Sequence, residues 1–285
     1  MADTNHPPGS PDPEMLRGRA LNLRRRMMDM AAGKGEGYIA QGLAIADCLA
    51  ALYFHEMRHD PARPDWPDRD RFLLSTGHYS IAMYALLAEA GYLDPAALPT
   101  YGLNGSALPM STFDETVGVE IVGGSLGQGL GQAVGMAMGL RLDGRAVSGR
   151  PARVFCEFSD GELQEGSTWE AAMAGATFRC DNLVALIDCN GIQADGPVTV
   201  AIEPVAAKMT AFGWDTQEVC GNDIGALVAA LAAARAADGR PKAIVMRTTP
   251  GFGVPTIMAR ERAHFVRVAD DEWDSLKAEL ERENA

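Results

Sequence analysis

Nowhere in this 285-residue sequence does an apolar run approach the roughly 20 residues that cross a bilayer. The opening stretch MADTNHPPGSPDPE has neither a basic segment nor an apolar one behind it, so no secretory leader is expected. Basic residues are in the minority. Twenty-five Lys and Arg face 38 Asp and Glu, a formal net charge of −13 that argues against a phosphate-backbone binder and so against nucleic acid as a partner. Cysteine is sparse as well: Cys48, Cys156, Cys180, Cys189 and Cys220 are odd in number, widely spaced and without a CxxC pair. That excludes a disulfide framework and a cysteine zinc site, and it points to a soluble protein in the reducing cytoplasm, away from membranes. What the chain has in quantity is core material, since 47% of its residues are apolar and its length suffices for one large domain.

Residues 1–13 hold four prolines and no apolar period, and are expected to be a flexible tail ahead of a single domain over 14–285. Leu16, Ala20, Leu23, Met27 and Met30 recur at helical spacing until Gly33 and Gly35 stop the pattern. A second helical stretch over 43–57 runs into the Pro- and Asp-rich connection DPARPDWPDRD, and a short strand is expected over 72–75. Beyond residue 80, long Ala-, Leu- and Met-rich segments alternate with the short runs RVFCEF, NLVALID, WDTQEV and KAIVMRT, the mark of βαβ units. NLVALID is apolar on both faces, as a strand must be when helices cover both sides of its sheet. The fold class is therefore α/β, a doubly wound and mainly parallel sheet. The alanine-rich segment 226–237 reads as a packed helix rather than a linker.

In such sheets ligands bind beyond the carboxyl ends of the strands. After RVFCEF come Ser159, Asp160 and Gly161, and thirty positions after Asp160, just past NLVALID, come Asn190, Gly191 and Ile192. Thirty residues is one βαβ unit, so the spacing sets a carboxylate and an amide oxygen side by side at neighbouring strand tips. A hard cation takes such a pair with a backbone carbonyl, and Mg2+ completes its six oxygens from phosphate and water. Gly161 would let amides at a helix start approach an anion closely. The plainer alternative is that Asp160 caps a helix and Asn190 makes a turn. The run GGSLGQG fits no GxGxxG register, and no GxxxxGK[ST] occurs, so neither a dinucleotide fingerprint nor a P-loop is present.

On these residues the sequence resembles the thiamine diphosphate enzymes, whose fingerprint is a GDG step with Asn about thirty residues later, and within them the amino-terminal half of transketolase. The resemblance runs over residues 15–268 and is carried by DRDRFLLSTGH, GVEIVGGSLGQGLGQAVGMAMGL, SDGELQEGSTWEAAMAGA, CNGIQADGPV and PGFGVP, in family order. It implies the thiamine diphosphate-binding fold, with thiamine diphosphate and Mg2+ as cofactors. Asp160 and Asn190 become the side-chain metal ligands and Ile192 the carbonyl ligand, while Gly124, Leu126, Gly161 and Glu162 lie against the cofactor. Glu165 matches a carboxylate at the family's dimer interface, with a solvated first-turn glutamate as the alternative. Ser159 departs from the family's glycine, at a position that supplies no ligand. The resemblance also implies that the pyrimidine-binding domain is a separate carboxy-terminal subunit, in an expected α2β2 heteromer acting on small ketose and aldehyde substrates.

Of five histidines, His6, His55 and His59 are read as structural or solvent-facing. His78, in STGH, and His264, in RERAHF, match family histidines near the cofactor and the substrate, and both, together with Tyr38, are candidate catalytic residues. Two family histidines are missing. Tyr38 stands in GEGYIAQG where the family has histidine, and its unperturbed pKa near ~10 makes it a poor proton shuttle at neutral pH. Met110 and Ser111 stand near the family's GHP, and Phe265 replaces the glycine after His264. The cofactor half of the site is expected to be intact and the substrate half rewritten. Three readings follow: ketol transfer by a transketolase-like subunit, a thiamine-dependent carboligase with an unusual acceptor, or a scaffold subunit without catalysis.

Overall fold

A computed structural model describes residues 12–147, 149–194 and 196–283. The expected tail therefore lies almost wholly outside the described residues, as does His6. The Asp12 carboxylate accepts hydrogen bonds from the amides of Glu14 and Met15 and caps helix α1, Pro13–Lys34. Pro13 takes the first helical position, where its missing N–H is no loss, so α1 starts one residue before Glu14. Gly33 does not end the helix. Gly35 does, in the left-handed conformation (φ 79°).

Five strands form one sheet: β1 Arg71–Leu74, β2 Val154–Ser159, β3 Leu183–Cys189, β4 Asp215–Cys220 and β5 Lys242–Arg247. All neighbours are parallel, and the spatial order is β1-β2-β3-β5-β4. Alternation along the strands divides them between two cores. Phe155, Val184, Leu186, Ile244 and Met246 face one, while Val154, Cys156, Leu183, Ala185, Ile187 and Val245 face the other. The first core is closed by α1, α2 (Ile39–Ala51), α3 (Ser80–Glu89) and α7 (Ile224–Ala233), and the second by α4 (Gly129–Leu142), α5 (Gly166–Thr177) and α6 (Val205–Ala211). The doubly wound α/β fold is as expected, and a π-helical turn, Leu52–Glu56, extends α2. The alanine-rich segment is helical only to Ala233, so its last residues are not the packed helix expected.

Two features outside the main sheet position the site. Glu36–Gly37 pairs antiparallel with Val266–Arg267, holding the 264–265 segment beside the start of α2. Ile192–Gln193 pairs with Gly196–Pro197 just after β3. Among the described residues no helix is long and apolar enough to cross a membrane, and all five cysteines are free thiols.

Candidate active site

Register sets the strand tips together. Ser159 at the end of β2 lies opposite Asp188 near the end of β3, so Asp160 and Asn190 emerge as neighbours. Asp160 does not cap the turn it opens. Ser159 does, in a capping box with Glu162, and this leaves the Asp160 carboxylate free of that duty. One Asp160 oxygen, Oδ2, accepts the Gly191 amide at 2.7 Å; the other, Oδ1, is buried without a hydrogen-bond partner among the described residues. Burial pushes this carboxyl up to about 7, against the lowering effect of the Gly191 amide. A buried carboxylate oxygen with nothing to bind is what a cation would satisfy.

Asn190 is fixed from behind. Its Nδ2 donates to the Tyr79 hydroxyl at 3.0 Å and to Asp188 Oδ2 at 2.6 Å, while Oδ1 accepts only the Ile192 amide at 3.0 Å. The donor end of the amide is thus turned into the protein and the oxygen end toward the loop. Asp188, fully buried, also accepts from Tyr79 and Thr248. Sequence reading missed Asp188 and Tyr79. The signal was available, because an aspartate inside an otherwise apolar strand needs partners of its own. Glu157, next to these carboxylates, is held well above the usual carboxylate range by burial and by Asp188.

A cleft of about 200 Å³ lies over the tips, and seven of the predicted residues line it: Tyr38, His78, Gly124, Leu126, Gly161, Ile192 and His264. Asp160 and Asn190 line the adjoining hollow of about 400 Å³. Gly124 adopts φ 104°, and a Cβ there would come within 2.6 Å of Ser111 Oγ, so glycine is required on two counts. Ser111 itself donates to the Gly123 carbonyl, which makes it a brace of this loop.

Glu162 requires correction. Expected against the cofactor, it is buried and outside the cleft lining, with Oε1 accepting from Ser75 and from the Gly127 amide and Oε2 from the Ser159 amide. It ties three loops together. The helix start expected at Gly161 is likewise only a five-residue 3-10 turn, Asp160–Gln164, and α5 begins at Gly166, so a helix dipole at Gly161 gives no support. Glu165 is exposed at the N-cap of α5 without a capping bond.

Four aromatic rings gather across the cleft. The Tyr38 ring stands edge-on to His78, His264 and Phe265 at centroid distances of 4.8, 5.3 and 5.0 Å, and the two histidines are 5.4 Å apart. Gln41 Nε2 donates to His264 Nδ1 at 2.7 Å, which leaves the proton of a neutral ring on Nε2. By contrast, His59 is a framework group, bonded to Tyr92 and the Tyr53 carbonyl. Burial, aided by His264, holds His78 down at about 3. An unfolded histidine takes its proton near ~6.5, so across the interval between these values the unfolded chain carries the extra proton and stability falls as pH falls, by up to about 1.4 kcal/mol per unit. His78→Asn is expected to remove that slope. Urea unfolding of both proteins between about pH 4 and about pH 6.5 checks this, and parallel profiles would contradict it.

The chain matches the family described as transketolase, thiamine diphosphate binding domain, over residues 17–284. A transketolase family protein of Sinorhizobium fredii is 47% identical over 259 residues, covering 90% of this chain and 91% of that one. A 6-deoxy-6-sulfo-D-fructose transketolase subunit of a Clostridium species is 37% identical over 273 residues, covering 95% and 98%. Among solved structures, the transketolase of Leishmania mexicana superposes with a TM-score of 0.85 at 31% identity, over 94% of this chain and 42% of its own. This chain therefore spans about two fifths of that enzyme.

Proposed function

Since the chain belongs to the transketolase family, through its thiamine diphosphate binding domain, we propose that it is the cofactor-diphosphate subunit of a split transketolase, moving a two-carbon ketol unit from a ketose to an aldehyde. The observation that carries the site assignment is the unpartnered oxygen of Asp160 beside an Asn190 amide whose oxygen end faces outward. Asp160, Asn190 and the Ile192 carbonyl would hold Mg2+, a set of hard oxygens suited to that ion. Among the described residues no cluster of three His, Cys, Asp or Glu competes for a metal. Thiamine diphosphate, when bound, supplies the nucleophilic carbon and the electron sink of ketol transfer.

The chain's own residues bind and orient. Gly124 and Gly161 leave room for backbone approach to the diphosphate, and Leu126 supplies an apolar wall. His264, its Nδ1 held by Gln41, is oriented on the cleft wall where a substrate oxygen would lie, and neutral His78 offers a hydrogen bond without a charge. Asp188 and Tyr79 are positioning residues, because they decide which end of Asn190 faces the ion. Asp188→Asn should weaken Mn2+ binding about 10- to 100-fold, read by electron paramagnetic resonance without any turnover assay. Unchanged affinity would remove Asp188 from that role.

Tyr38 and Phe265 make the substrate side more aromatic than the family pattern, which supports a ketose or acceptor outside the ordinary pentose phosphates. The Clostridium relative, named for a sulfonated ketose, is in keeping with this breadth. Tyr38→His is expected to raise activity on ordinary ketose phosphates by about tenfold or more, measured with the partner subunit present. No change would place specificity elsewhere. The partner is read as a pyrimidine-binding subunit in an α2β2 complex; exposed Leu142, Met173 and Phe178 along α4 and α5 offer it an apolar face. Free thiols throughout, four of the five buried, support a reducing cytoplasm.

A further inference from the structure

We propose that the edge of the sheet opposite the cofactor crevice carries a second site, which binds a phosphate group between Arg150, Arg153 and Arg235. These three arginines line a cavity of about 80 Å³ with Asp181 and Asn182. All five residues precede strands: Arg150 and Arg153 come before β2, Asp181 and Asn182 before β3, and Arg235 before β5. The cavity therefore sits at the amino ends, a sheet's length from Asp160 and Asn190.

The guanidinium of Arg153 is half satisfied. Its residue is 7% exposed, its Cζ lies 4.8 Å from the Phe155 ring centroid, and Nη2 is paired with Glu56. Nε and Nη1 have no hydrogen-bond partner among the described residues. Leaving two charged donors buried and unmet is unfavourable unless something fills them. Arg58 adds a fourth guanidinium, donating to the carbonyls of Arg150 and Pro151. The neighbouring carboxylates are already engaged: Glu56 by Arg235 and Arg153, Asp70 by Arg58, and Asp181 by the Gly239 amide. Burial lowers the Arg150 guanidinium, with Arg153 and Arg58 adding to the effect and Asp70 and Glu56 opposing it. In a chain of net charge −13 that concentration of guanidinium groups is local and specific. Planar forks of this kind match phosphate oxygens two at a time, and a cavity of about 80 Å³ is on the scale of a single phosphate group.

The ligand is inorganic phosphate or the phosphate ester of a small metabolite. Calorimetric titration of the full-length chain with sodium phosphate and with glycerol 3-phosphate, at saturating thiamine diphosphate and Mg2+, compares the two. Saturable binding is expected, weakened at least about tenfold in Arg150→Gln. That variant keeps the backbone carbonyl that Arg58 uses, so its fold is retained. Tighter binding of the ester assigns a metabolite, and equal or weaker binding assigns the free ion. Crystals soaked in tungstate locate the anion independently of any cofactor, with an anomalous peak expected beside Arg150 and Arg153. Absent binding, binding indifferent to Arg150→Gln, or a peak only in the carboxyl-end crevice would overturn the proposal.

Discussion

Asp160→Ala is expected to lose more than about 100-fold in affinity for thiamine diphosphate and to erase the difference between Mg2+ and chelator, since outer-shell changes alone reach that figure. The reasoning is electrostatic. Asp160 is 3% exposed, and its Oδ1 has no partner among the described residues, so a divalent ion there gains a full charge at short range in a poorly screened setting. Alanine leaves only neutral oxygens. Stability should hardly suffer, because the protein loses one hydrogen bond, that from Gly191, for about 1 kcal/mol, and with it a carboxylate that burial disfavours. Calorimetry with and without EDTA, beside a urea melt, separates the effects. Retained metal-dependent binding would refute the assignment.

Gly77→Ala should be strongly disruptive, since a Cβ there would sit close against backbone. A Cβ on Gly77 would lie 2.2 Å from the Gly123 carbonyl carbon and 2.4 Å from the Gly124 nitrogen, both backbone atoms that cannot rotate aside. Gly77 also accepts the Thr112 amide, and Gly124 donates to the Ser75 carbonyl, so β1's following turn and the 123–127 loop move together or not at all. Overpacking of this kind costs about 1–3 kcal/mol where side chains yield, and a rigid backbone contact belongs at the top of that range. Urea unfolding should show the loss, and cofactor binding should fall with it, because His78 sits on one side of the contact and Gly124 and Leu126 on the other. Gly135→Ala is the control. Nothing lies within 4 Å of its Cβ on the exposed face of α4, and helix propensity predicts a gain of about 1 kcal/mol. Equal effects at both positions would contradict the packing argument.

The strands were legible because burial on both faces leaves unbroken apolar runs, and RVFCEF and NLVALID appear within a residue of their observed bounds. Juxtaposition of Asp160 and Asn190 followed from one βαβ spacing. What the sequence concealed was tertiary. Glu162 reads as a site carboxylate until its three donors, far apart in the chain, are seen around it. Gly77 and Gly123, forty-six positions apart, reveal their purpose only when their backbones touch. Asp188 stood out in an apolar strand, but its partners Tyr79, Asn190 and Thr248 did not, and Gln41 lies two hundred and twenty-three positions from the histidine it orients.

A crystal of the chain with its partner, grown in thiamine diphosphate and Mn2+, tests the central claim most directly. The account predicts an anomalous peak bonded to the Asp160 carboxylate, the Asn190 amide oxygen and the Ile192 carbonyl, with diphosphate oxygens completing the shell. Cofactor density with no metal between those strand tips, or manganese bound by a different set of residues, would contradict it.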